Sequence, residues 1–414
     1  MTALESPGKP DMLIVGDIYR LSWPCGIQAE VDRIADHRDE LTAEVSVFST
    51  RQLRTGLLHS ARLNLMSTQA RTTLAKALAQ RDPELDWLAL LEGLCFKARE
   101  QHREGEPAVL LDDLPQQIAP LYELPPLALR KSLTIAFSRP GEGKTWLATA
   151  VGVALANNRE DILQLAPTRQ LRPLFLDWED DEYVKKTRAE KVAGGPSGIV
   201  YLGCRGAIWD ELDRIQRAIR EHACDYLLID SVGMACGGIP PESSEAALRF
   251  MNAYRRIGLG GFATAHLPHD AKEEGRPFGS VFWNAQARLT WFVKREQDPE
   301  ANGFKLGLYN RKSNNDRGTF PLAYDVSFGD GRVRFTKADI ANDADLASHQ
   351  PLKWQIRDAL KTGPKSYVEL ANIVDADADS IRKAVTRGEG QLFVRAPENG
   401  DRVGRWANLA RRTS

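Results

Sequence analysis

The sequence predicts an α/β protein whose largest part is a mainly parallel, twisted sheet covered by helices on both faces. Three observations predict it. An apolar run, Leu133 to Phe137, leads into a glycine-bearing loop and then into an apolar helical stretch. Short apolar runs alternate with helix-length segments as far as His266. Strands joined by short links follow only from Phe304 onward, which favours an antiparallel extension at one side of the sheet.

The glycine-bearing loop, Ser138 to Thr145, reads Ser-Arg-Pro-Gly-Glu-Gly-Lys-Thr. Strand, loop, Gly-Lys-Thr and helix form the layout of a phosphate-binding loop, although serine stands at 138 where glycine is more common. Glycines let backbone N–H groups point at phosphate oxygens, and the helix N-terminus adds its positive dipole end. We expect Lys144 to reach the β- and γ-phosphates and Thr145 to hold Mg²⁺. The predicted ATP-binding residues are Ser138, Pro140, Gly141, Glu142, Gly143, Lys144, Thr145 and Trp146.

The alternation after this loop assigns each strand and helix of the predicted core. The predicted strands are Leu174 to Trp178, Ile199 to Leu202, Tyr226 to Ile229, Gly261 to Ala265, Phe304 to Tyr309, Pro321 to Phe328 and Val333 to Thr336. The predicted helices are Asp181 to Val192, Trp209 to His222 and Ser243 to Ile257. Ligands bind at the carboxyl ends of the strands in such sheets, so the polar residues there are candidates for the site.

Two acids end apolar strands. Asp230 follows Leu227-Leu228-Ile229 and is the expected Mg²⁺ partner, directly or through water; a helix-cap or turn aspartate is the alternative. Glu179 follows the strand before it and could orient and deprotonate the attacking water. Asp177, Asp180 and Asp181 lie beside it, and some of these are expected to be first-turn helix acids.

One histidine also ends a strand. His266 follows Ala263-Thr264-Ala265 and could sense the γ-phosphate, with a capping or core histidine as the alternative interpretation. His269 is a nearby competitor for the same role.

These motifs, in this order, resemble those of RecA-type ATPases, most closely the RepA branch related to plasmid and phage replicative helicases of the DnaB type. The resemblance covers about Pro125 to Thr336. It implies an ATPase that uses ATP and Mg²⁺, with Glu179 as the residue that activates water.

The resemblance also nominates cations that act on the nucleotide of a neighbouring subunit. The segment Gly279 to Arg288 resembles the Gly-Ser and arginine of the family, and Arg311-Lys312-Ser313-Asn314 resembles its late Lys-x-Asn element. Arg288 and Lys312 are therefore candidate catalytic residues, with Arg317 as a weaker competitor and a surface ion pair as the alternative for Arg288. The resemblance therefore implies a homo-oligomer, with a hexamer as one candidate form.

The C-terminal segment predicts a small separate unit. Leu352 to Leu360, a stretch capped by Ser366, and Ala378 to Arg387 are expected helices, and two strands around Glu398 to Asp401 form a hairpin. Three helices and a hairpin resemble a winged helix-turn-helix. From Leu352 to Ser414 the chain has 12 Lys and Arg against 8 Asp and Glu. The candidate DNA-binding residues are Arg382, Lys383, Arg387, Arg395 and Arg405. Docking of a subunit or another protein is the alternative use of this unit.

The remaining sequence predicts an N-terminal accessory region. Alternating segments before Thr50 indicate an antiparallel meander, and two helices follow, one capped by Ser67 or Thr68 and one from Trp87 to Arg103. A proline-rich linker then runs to Pro126. The predicted domains are thus 1–125 (accessory α+β region and linker), 126–340 (RecA-like ATPase) and 351–414 (winged helix).

Composition limits the classes of function. The net charge of −1 excludes a global basic field, so any DNA contact must come from local patches. Five dispersed cysteines indicate reduced thiols in a cytoplasm, and no apolar run approaches a membrane helix. Together with the motifs and the family they resemble, this predicts a cytoplasmic, DNA-stimulated ATPase, an oligomeric helicase or translocase. Its expected partner is DNA, and other replication or recombination proteins are further candidates. The alternative is an ATP-switched DNA-binding or loading factor that does not unwind.

Overall fold

The computed structural model describes residues 4–15, 18–37, 40–51, 56–105, 108–114, 121–267, 281–297, 302–314, 320–340, 343–396 and 404–409. The chain separates into two compact units, Met1–Gln117 and Ile118–Ser414. This division falls inside the predicted proline-rich linker. The finer division of the second unit into an ATPase and a winged helix stays a prediction.

The first unit is a five-stranded antiparallel meander with two helices. Its elements are β1 (Asp11–Val15), β2 (Ile18–Ser22), β3 (Ile27–His37), β4 (Glu40–Ser49), β5 (Gly56–Asn64), α1 (Thr68–Ala79) and α2 (Trp87–Glu104). The strands lie in chain order, and alternate residues of β4 are buried, as expected for a sheet covered on one face. The Ser67 hydroxyl accepts the Ala70 N–H at 3.2 Å, and the Asp86 carboxylate accepts the Ala89 N–H at 3.0 Å, so both helices begin at capping residues.

The second unit contains a nine-stranded sheet. Its strands and those of a short hairpin before it are β6 (Tyr122–Leu124), β7 (Ala128–Leu129), β8 (Leu133–Ser138), β9 (Pro173–Asp177), β10 (Val200–Gly203), β11 (Tyr226–Asp230), β12 (Gly260–His266), β13 (Leu289–Glu296), β14 (Gly303–Ser313), β15 (Leu322–Gly329) and β16 (Arg332–Ala338). The spatial order is β10-β9-β11-β12-β8-β13-β14-β15-β16. The first six of these strands run parallel and the last three are antiparallel, which confirms the predicted mainly parallel sheet with its antiparallel extension.

Helices cover both faces of this sheet. They are α3 (Lys144–Asn157), α4 (Glu182–Ala193), α5 (Leu212–His222), α6 (Ser244–Ile257), α7 (Val281–Gln286) and α8 (Ala344–Ser348). One apolar core lies between the sheet and α3 with α4, and a second lies on the opposite face beneath α5 and α6. Helix α3 is apolar around nearly its whole circumference, and it is therefore buried on nearly every side. The end of the sheet that carries the phosphate loop is therefore supported by a packed apolar core on each face.

Helix α5 begins later than the sequence predicts. The Glu211 carboxylate accepts the backbone N–H groups of Arg205 and Gly206, at 3.0 and 2.8 Å, and closes a turn where the helix was expected. Such a side-chain-to-backbone bond competes with helix formation, so Trp209 and Asp210 remain outside the helix.

The last part of the second unit contains three helices and a hairpin. These are α9 (Leu352–Ala359), α10 (Tyr367–Val374), α11 (Ala378–Gly388), β17 (Phe393–Arg395) and β18 (Trp406–Asn408). Ser366 and Glu369 form a reciprocal capping box at the start of α10, as the serine predicted. The Trp354 ring lies 4.3 Å from that of Phe320, so this part packs on the end of the sheet. None of the helices in the described ranges has the length and apolar character of a membrane-crossing segment.

Candidate active site

The phosphate loop connects the end of β8 to the start of α3. Gly141 and Gly143 have φ angles of 80° and 85°, in the left-handed region where residues other than glycine are strained. A Cβ at Gly143 would also come within 3.2 Å of the Phe304 ring. Both backbone conformation and close packing therefore require glycine there, which gives the sequence motif its physical reason.

Lys144 is buried inside this loop. Its Nζ donates to the Arg139 carbonyl at 2.8 Å, and the hydroxyl and carbonyl oxygens of Ser138 lie 3.0 and 3.3 Å away. Burial lowers the pKa of Lys144 to about 8, although Asp230, Glu179 and Glu142 act in the opposite direction. A phosphate anion in the loop would favour the ammonium form, because an opposite charge nearby raises the pKa of an amine.

His266 joins Lys144 to Glu179. Strands β12 and β8 pair so that His266 lies opposite Ser138, the first residue of the loop. The His266 Nδ1 is 3.4 Å from Lys144 Nζ, and its Nε2 is 3.7 Å from Glu179 Oε1. Because the lysine is the donor, Nδ1 accepts and Nε2 carries the proton that faces the carboxylate; this tautomer is assigned from the contacts.

The environment of Glu179 keeps its carboxylate ionised. The neighbouring His266 imidazole lowers the pKa of Glu179 to about 2, against the effect of burial. The His266 Nε2–H faces the Glu179 carboxylate across 3.7 Å, and the Ser231 hydroxyl and the Lys185 ammonium also lower the pKa of this carboxylate. A carboxylate with so low a pKa orients a water molecule better than it removes its proton.

Asp230 ends β11, where the sequence placed it, and both of its oxygens are engaged. Its Oδ2 accepts from Lys185 Nζ at 2.6 Å, and its Oδ1 accepts from the Thr264 hydroxyl at 2.5 Å. Asp177 lies beside it in the parallel register of β9 and β11, and Lys185 Nζ is 3.4 Å from Asp177 Oδ1. Burial raises the pKa of Asp177, and the adjacent Lys185 ammonium opposes that effect.

These residues fit a hydrated Mg²⁺. Mg²⁺ takes oxygen ligands and keeps several of its waters, and the Thr145 hydroxyl and the Asp230 carboxylate are oxygens at the same end of the sheet. Asp230 fits as a partner through water, because Lys185 and Thr264 already occupy its direct coordination positions. A bound Mg²⁺ would neutralise phosphate charge. Thr145 and Asp230 are the residues that would hold it.

Two basic residues at the loop were not predicted. The backbone N–H of Arg295 donates to Glu142 Oε2 at 2.5 Å, and the Arg295 Nη1 donates to the Gly141 carbonyl at 3.2 Å. The Lys294 Nζ lies 3.6 Å from Glu142 Oε1. Strand β13 therefore fixes the outer half of the phosphate loop. The signal in the sequence is a Lys-Arg pair at the carboxyl end of an apolar strand next to the strand that carries the loop.

Arg288 and Lys312 do not join this site within the chain. Leu289 pairs with Thr134, so Arg288 lies at the amino end of β8, roughly 15 Å from the loop at the strand rise of about 3.3 Å per residue. Lys312 Nζ donates to the carbonyls of Ala287 at 2.8 Å, Ala285 at 3.1 Å and Asn284, at the C-terminus of α7. Burial lowers the pKa of Lys312, and Arg288 adds to the effect.

The role of these two residues in a neighbouring subunit stays a prediction. Their competitor Arg317 lies outside the described residues, as does His269, the alternative to His266.

The predicted DNA-binding residues occupy two environments. Arg382 and Lys383 extend from α11 with side chains 65% and 68% exposed, near the exposed Asp379. Arg387 and Arg395 are also exposed, with the Arg395 guanidinium 5.5 Å from the Trp406 ring centroid. Arg405 instead lies 3.3 Å from Glu369 of the capping box, so it contributes to the fold of this part.

A family model matches the part of the chain that carries this geometry. A family model described as an AAA domain matches residues 100–274, a segment that contains the phosphate loop, Glu179, Asp230 and His266. A search of curated proteins finds no match. Among solved structures, a KaiC-like protein from the hyperthermophilic archaeon Pyrococcus horikoshii is 15% identical, over 52% of this chain and 93% of that chain, with a TM-score of 0.39. Residues 100–274 are thus similar to an AAA domain, and the mainly parallel sheet of this segment carries the phosphate loop between β8 and α3.

Proposed function

We propose that this protein is a DNA-stimulated, RepA-like ATPase that acts as an oligomeric helicase or translocase in the replication or recombination of plasmid, phage or other mobile DNA. The observation that carries the proposal is the sequence of contacts from Lys144 through His266 to Glu179. It joins the group that binds the terminal phosphate to the group that orients water. An ATP-hydrolysing site needs both groups within reach of one phosphoryl group.

Each residue has a defined part in hydrolysis. Lys144 leaves the carbonyls of its own loop and contacts the β- and γ-phosphate oxygens. His266 senses the γ-phosphate on one side and controls Glu179 on the other. Glu179 orients the attacking water in line with the bond to be broken and accepts its proton as hydroxide character develops. The γ-phosphoryl group passes to that water, and ADP leaves with its terminal oxygen negative.

A cation from a neighbouring subunit would complete the site. Charge spreads over the γ-phosphoryl oxygens in the transition state, and a positioned arginine accelerates phosphoryl transfer by about 10³–10⁵. Arg288 and Lys312 lie at the opposite end of the sheet from the phosphate loop of their own chain. That position suits a contribution to the next subunit of a ring or filament, so hydrolysis would depend on assembly.

The DNA part of the proposal rests on the C-terminal segment. Its helix α11 exposes Arg382, Lys383 and Arg387 on an element of the length that enters a major groove. The excess of positive charge from Leu352 onward is local in a chain whose net charge is −1. Phosphate contacts by such exposed cations are salt-dependent and require no global basic field.

One observation favours the second candidate, an ATP-switched loading or regulatory factor. Lys144 is bonded to its own loop, and the low pKa of Glu179 makes it a weak base. A site that rests in this arrangement hydrolyses slowly until something displaces His266, as a nucleotide switch requires. In such a protein ATP controls assembly on DNA and no strand is displaced.

One set of measurements separates the two candidates. Phosphate release is measured with and without single-stranded DNA, and strand displacement is then measured on a forked duplex, with Lys144→Ala as the inactive control. Stimulation by DNA together with displacement supports the helicase. ATP-dependent assembly on DNA without displacement supports the loading factor, and absence of ATP hydrolysis under every condition would overturn both.

A further inference from the structure

Lys185 is a buried cation for which the proposed reaction has no use. It extends from α4, with a side chain only 5% exposed. Its Nζ lies 2.6 Å from Asp230 Oδ2, 3.4 Å from Asp177 Oδ1 and 3.6 Å from Asp180 Oδ2. The Phe175 ring lies on another side of the ammonium, 4.6 Å from Nζ to the ring centroid. The ammonium therefore lies among three carboxylates at the end of the sheet where a metal ion is expected.

The charges of this cluster explain why a cation must be present. Asp177 and Asp230 end adjacent parallel strands in register, and both side chains are almost fully buried. Two buried carboxylates this close cannot both stay ionised without a compensating charge. Among the described residues, Lys185 is the group that contacts both of them. It performs for these two acids the electrostatic task that a divalent cation performs in a metal site.

The hydrogen bonds of Asp230 and Asp177 differ in a way that would let the Lys185 ammonium move from one carboxylate to the other. Asp230 would keep its orientation without Lys185, because the Thr264 hydroxyl holds its other oxygen at 2.5 Å. Asp177 has an oxygen to receive the ammonium, because its buried Oδ2 has no hydrogen-bond partner among the described residues. The nearby Tyr201 hydroxyl donates to the Asp180 carbonyl, at 3.1 Å. Lys185 Nζ lies 3.4 Å from Asp177 Oδ1, so a displacement of less than about 1 Å would carry it from Asp230 to hydrogen-bond distance of the Asp177 carboxylate.

We propose that Lys185 is a positioning residue that holds the place of the metal ion at Asp230 until nucleotide and Mg²⁺ arrive, and that Asp177 then receives its ammonium. The proposal deepens the proposed function, since it rests on that site taking Mg²⁺ with ATP. It explains why both oxygens of the Asp230 carboxylate accept hydrogen bonds from side chains of the same chain. It also gives the buried Asp177 carboxylate a defined role.

The test uses the full-length protein without nucleotide and measures thermal unfolding against MgCl₂ at constant ionic strength. Lys185→Met removes the ammonium and keeps the volume, Lys185→Arg keeps the charge, and Lys186→Met is the matched control, since Lys186 is 69% exposed on the same helix. We expect the unfolding temperature of Lys185→Met to rise with Mg²⁺, because the ion replaces the missing charge. Wild type, Lys185→Arg and the control should respond little. An equal response of Lys185→Met and wild type would overturn the proposal.

A second variant keeps the proposal testable if Lys185→Met does not fold. Asp177→Asn removes the charge that receives the ammonium, so Lys185 stays on Asp230 and competes with the metal. The Mg²⁺ concentration for half-maximal binding of a fluorescent ATP analogue should rise roughly tenfold, the size typical of changes in the shell around a metal ligand. An unchanged Mg²⁺ midpoint would contradict the exchange. A different result would contradict the proposed function, namely a wild-type protein that binds no ATP analogue at any Mg²⁺ concentration. The nucleotide-free unfolding experiment would still test the role of Lys185 in that case.

Discussion

The charged groups at the phosphate-loop end of the sheet and those of the C-terminal segment have similar chemistry in opposite surroundings. Lys144 and Lys185 are buried, and each contacts several polar groups. Arg382 and Lys383 are about two-thirds exposed and share a single carboxylate. Coulomb energies grow as water is removed, so a change in the first region should alter chemistry and folding strongly. A change in the second should have a small effect on stability and a salt-dependent effect on binding.

The largest difference between the two regions should appear when Glu179, the proposed water-orienting group, is neutralised. Glu179→Gln keeps the size of the side chain and removes its charge, so ATP should still bind while phosphate release falls by about 10²–10⁴, the usual contribution of a general base. Binding is followed by nucleotide titration and turnover by phosphate release. Glu182→Gln is the matched control, an exposed acid in the first turn of α4, and should behave as wild type.

An active Glu179→Gln variant would move the role of base to Asp177 or Asp180. Both alternatives are at a disadvantage in this structure. Asp177 is buried beside Lys185, and Asp180 is paired with Arg188 and lies 3.6 Å from Lys185. Each of these carboxylates holds a cation of its own chain, so it is less free than Glu179 to contact a water molecule at the γ-phosphate.

A smaller effect is expected from the charge of Lys144 itself. Its pKa in the folded chain is about 8, below the ordinary 10.5, so the unfolded chain binds more protons between these values. Stability should therefore rise with pH across this window, by up to about 3 kcal/mol at 1.36 kcal/mol per unit of pKa difference, and the cost is fully present below pH 8. Lys144→Met lacks this titrating group. The free energy of unfolding of wild type should therefore increase relative to that of Lys144→Met as the pH rises.

The measurement is denaturant unfolding of nucleotide-free wild type and Lys144→Met at several pH values from about 8 to about 10. Lys186→Met, which removes an exposed lysine, corrects for the loss of one titrating amine. Parallel pH profiles for wild type and Lys144→Met would show that the ammonium of Lys144 is not penalised by burial.

The same contrast explains what could be predicted from the sequence. The phosphate loop is contiguous in the chain, and its glycines have local conformational reasons, so the motif alone identified it. Asp230, Glu179 and His266 were predicted because parallel strands bring their carboxyl ends to one edge. Lys185 could not be predicted, because it is followed by Lys186 on a polar helix and reads as part of a solvated surface. Only the packing of α4 over β9 and β11 places its ammonium between two buried acids.

The pairing of strands distant in sequence also determines which groups Arg295 and Lys312 contact. Arg295 contacts the loop because β13 lies next to β8, a neighbour that chain order does not reveal. Lys312 was predicted from a motif, and its ammonium binds the end of α7 in its own chain. Motifs therefore nominated the candidate residues, whereas the contacts of each residue depended on strand order.

The smallest expected effect lies in the exposed region. Removing both cations with Arg382→Ala and Lys383→Ala should leave the unfolding temperature almost unchanged, because exposed ion pairs contribute little. DNA affinity should fall, and the slope of log K against log salt should become shallower by about 1.8 for duplex DNA, near 0.9 for each lost phosphate contact. Arg217→Ala with Arg220→Ala removes two exposed cations from α5 and is the matched control for net charge. If both double variants bind DNA alike and keep the wild-type salt slope, α11 does not contact the DNA backbone. The C-terminal segment would then be a docking surface for another subunit or protein. The two regions would still differ in the burial of their charged groups, but DNA binding would no longer be assigned to the exposed one.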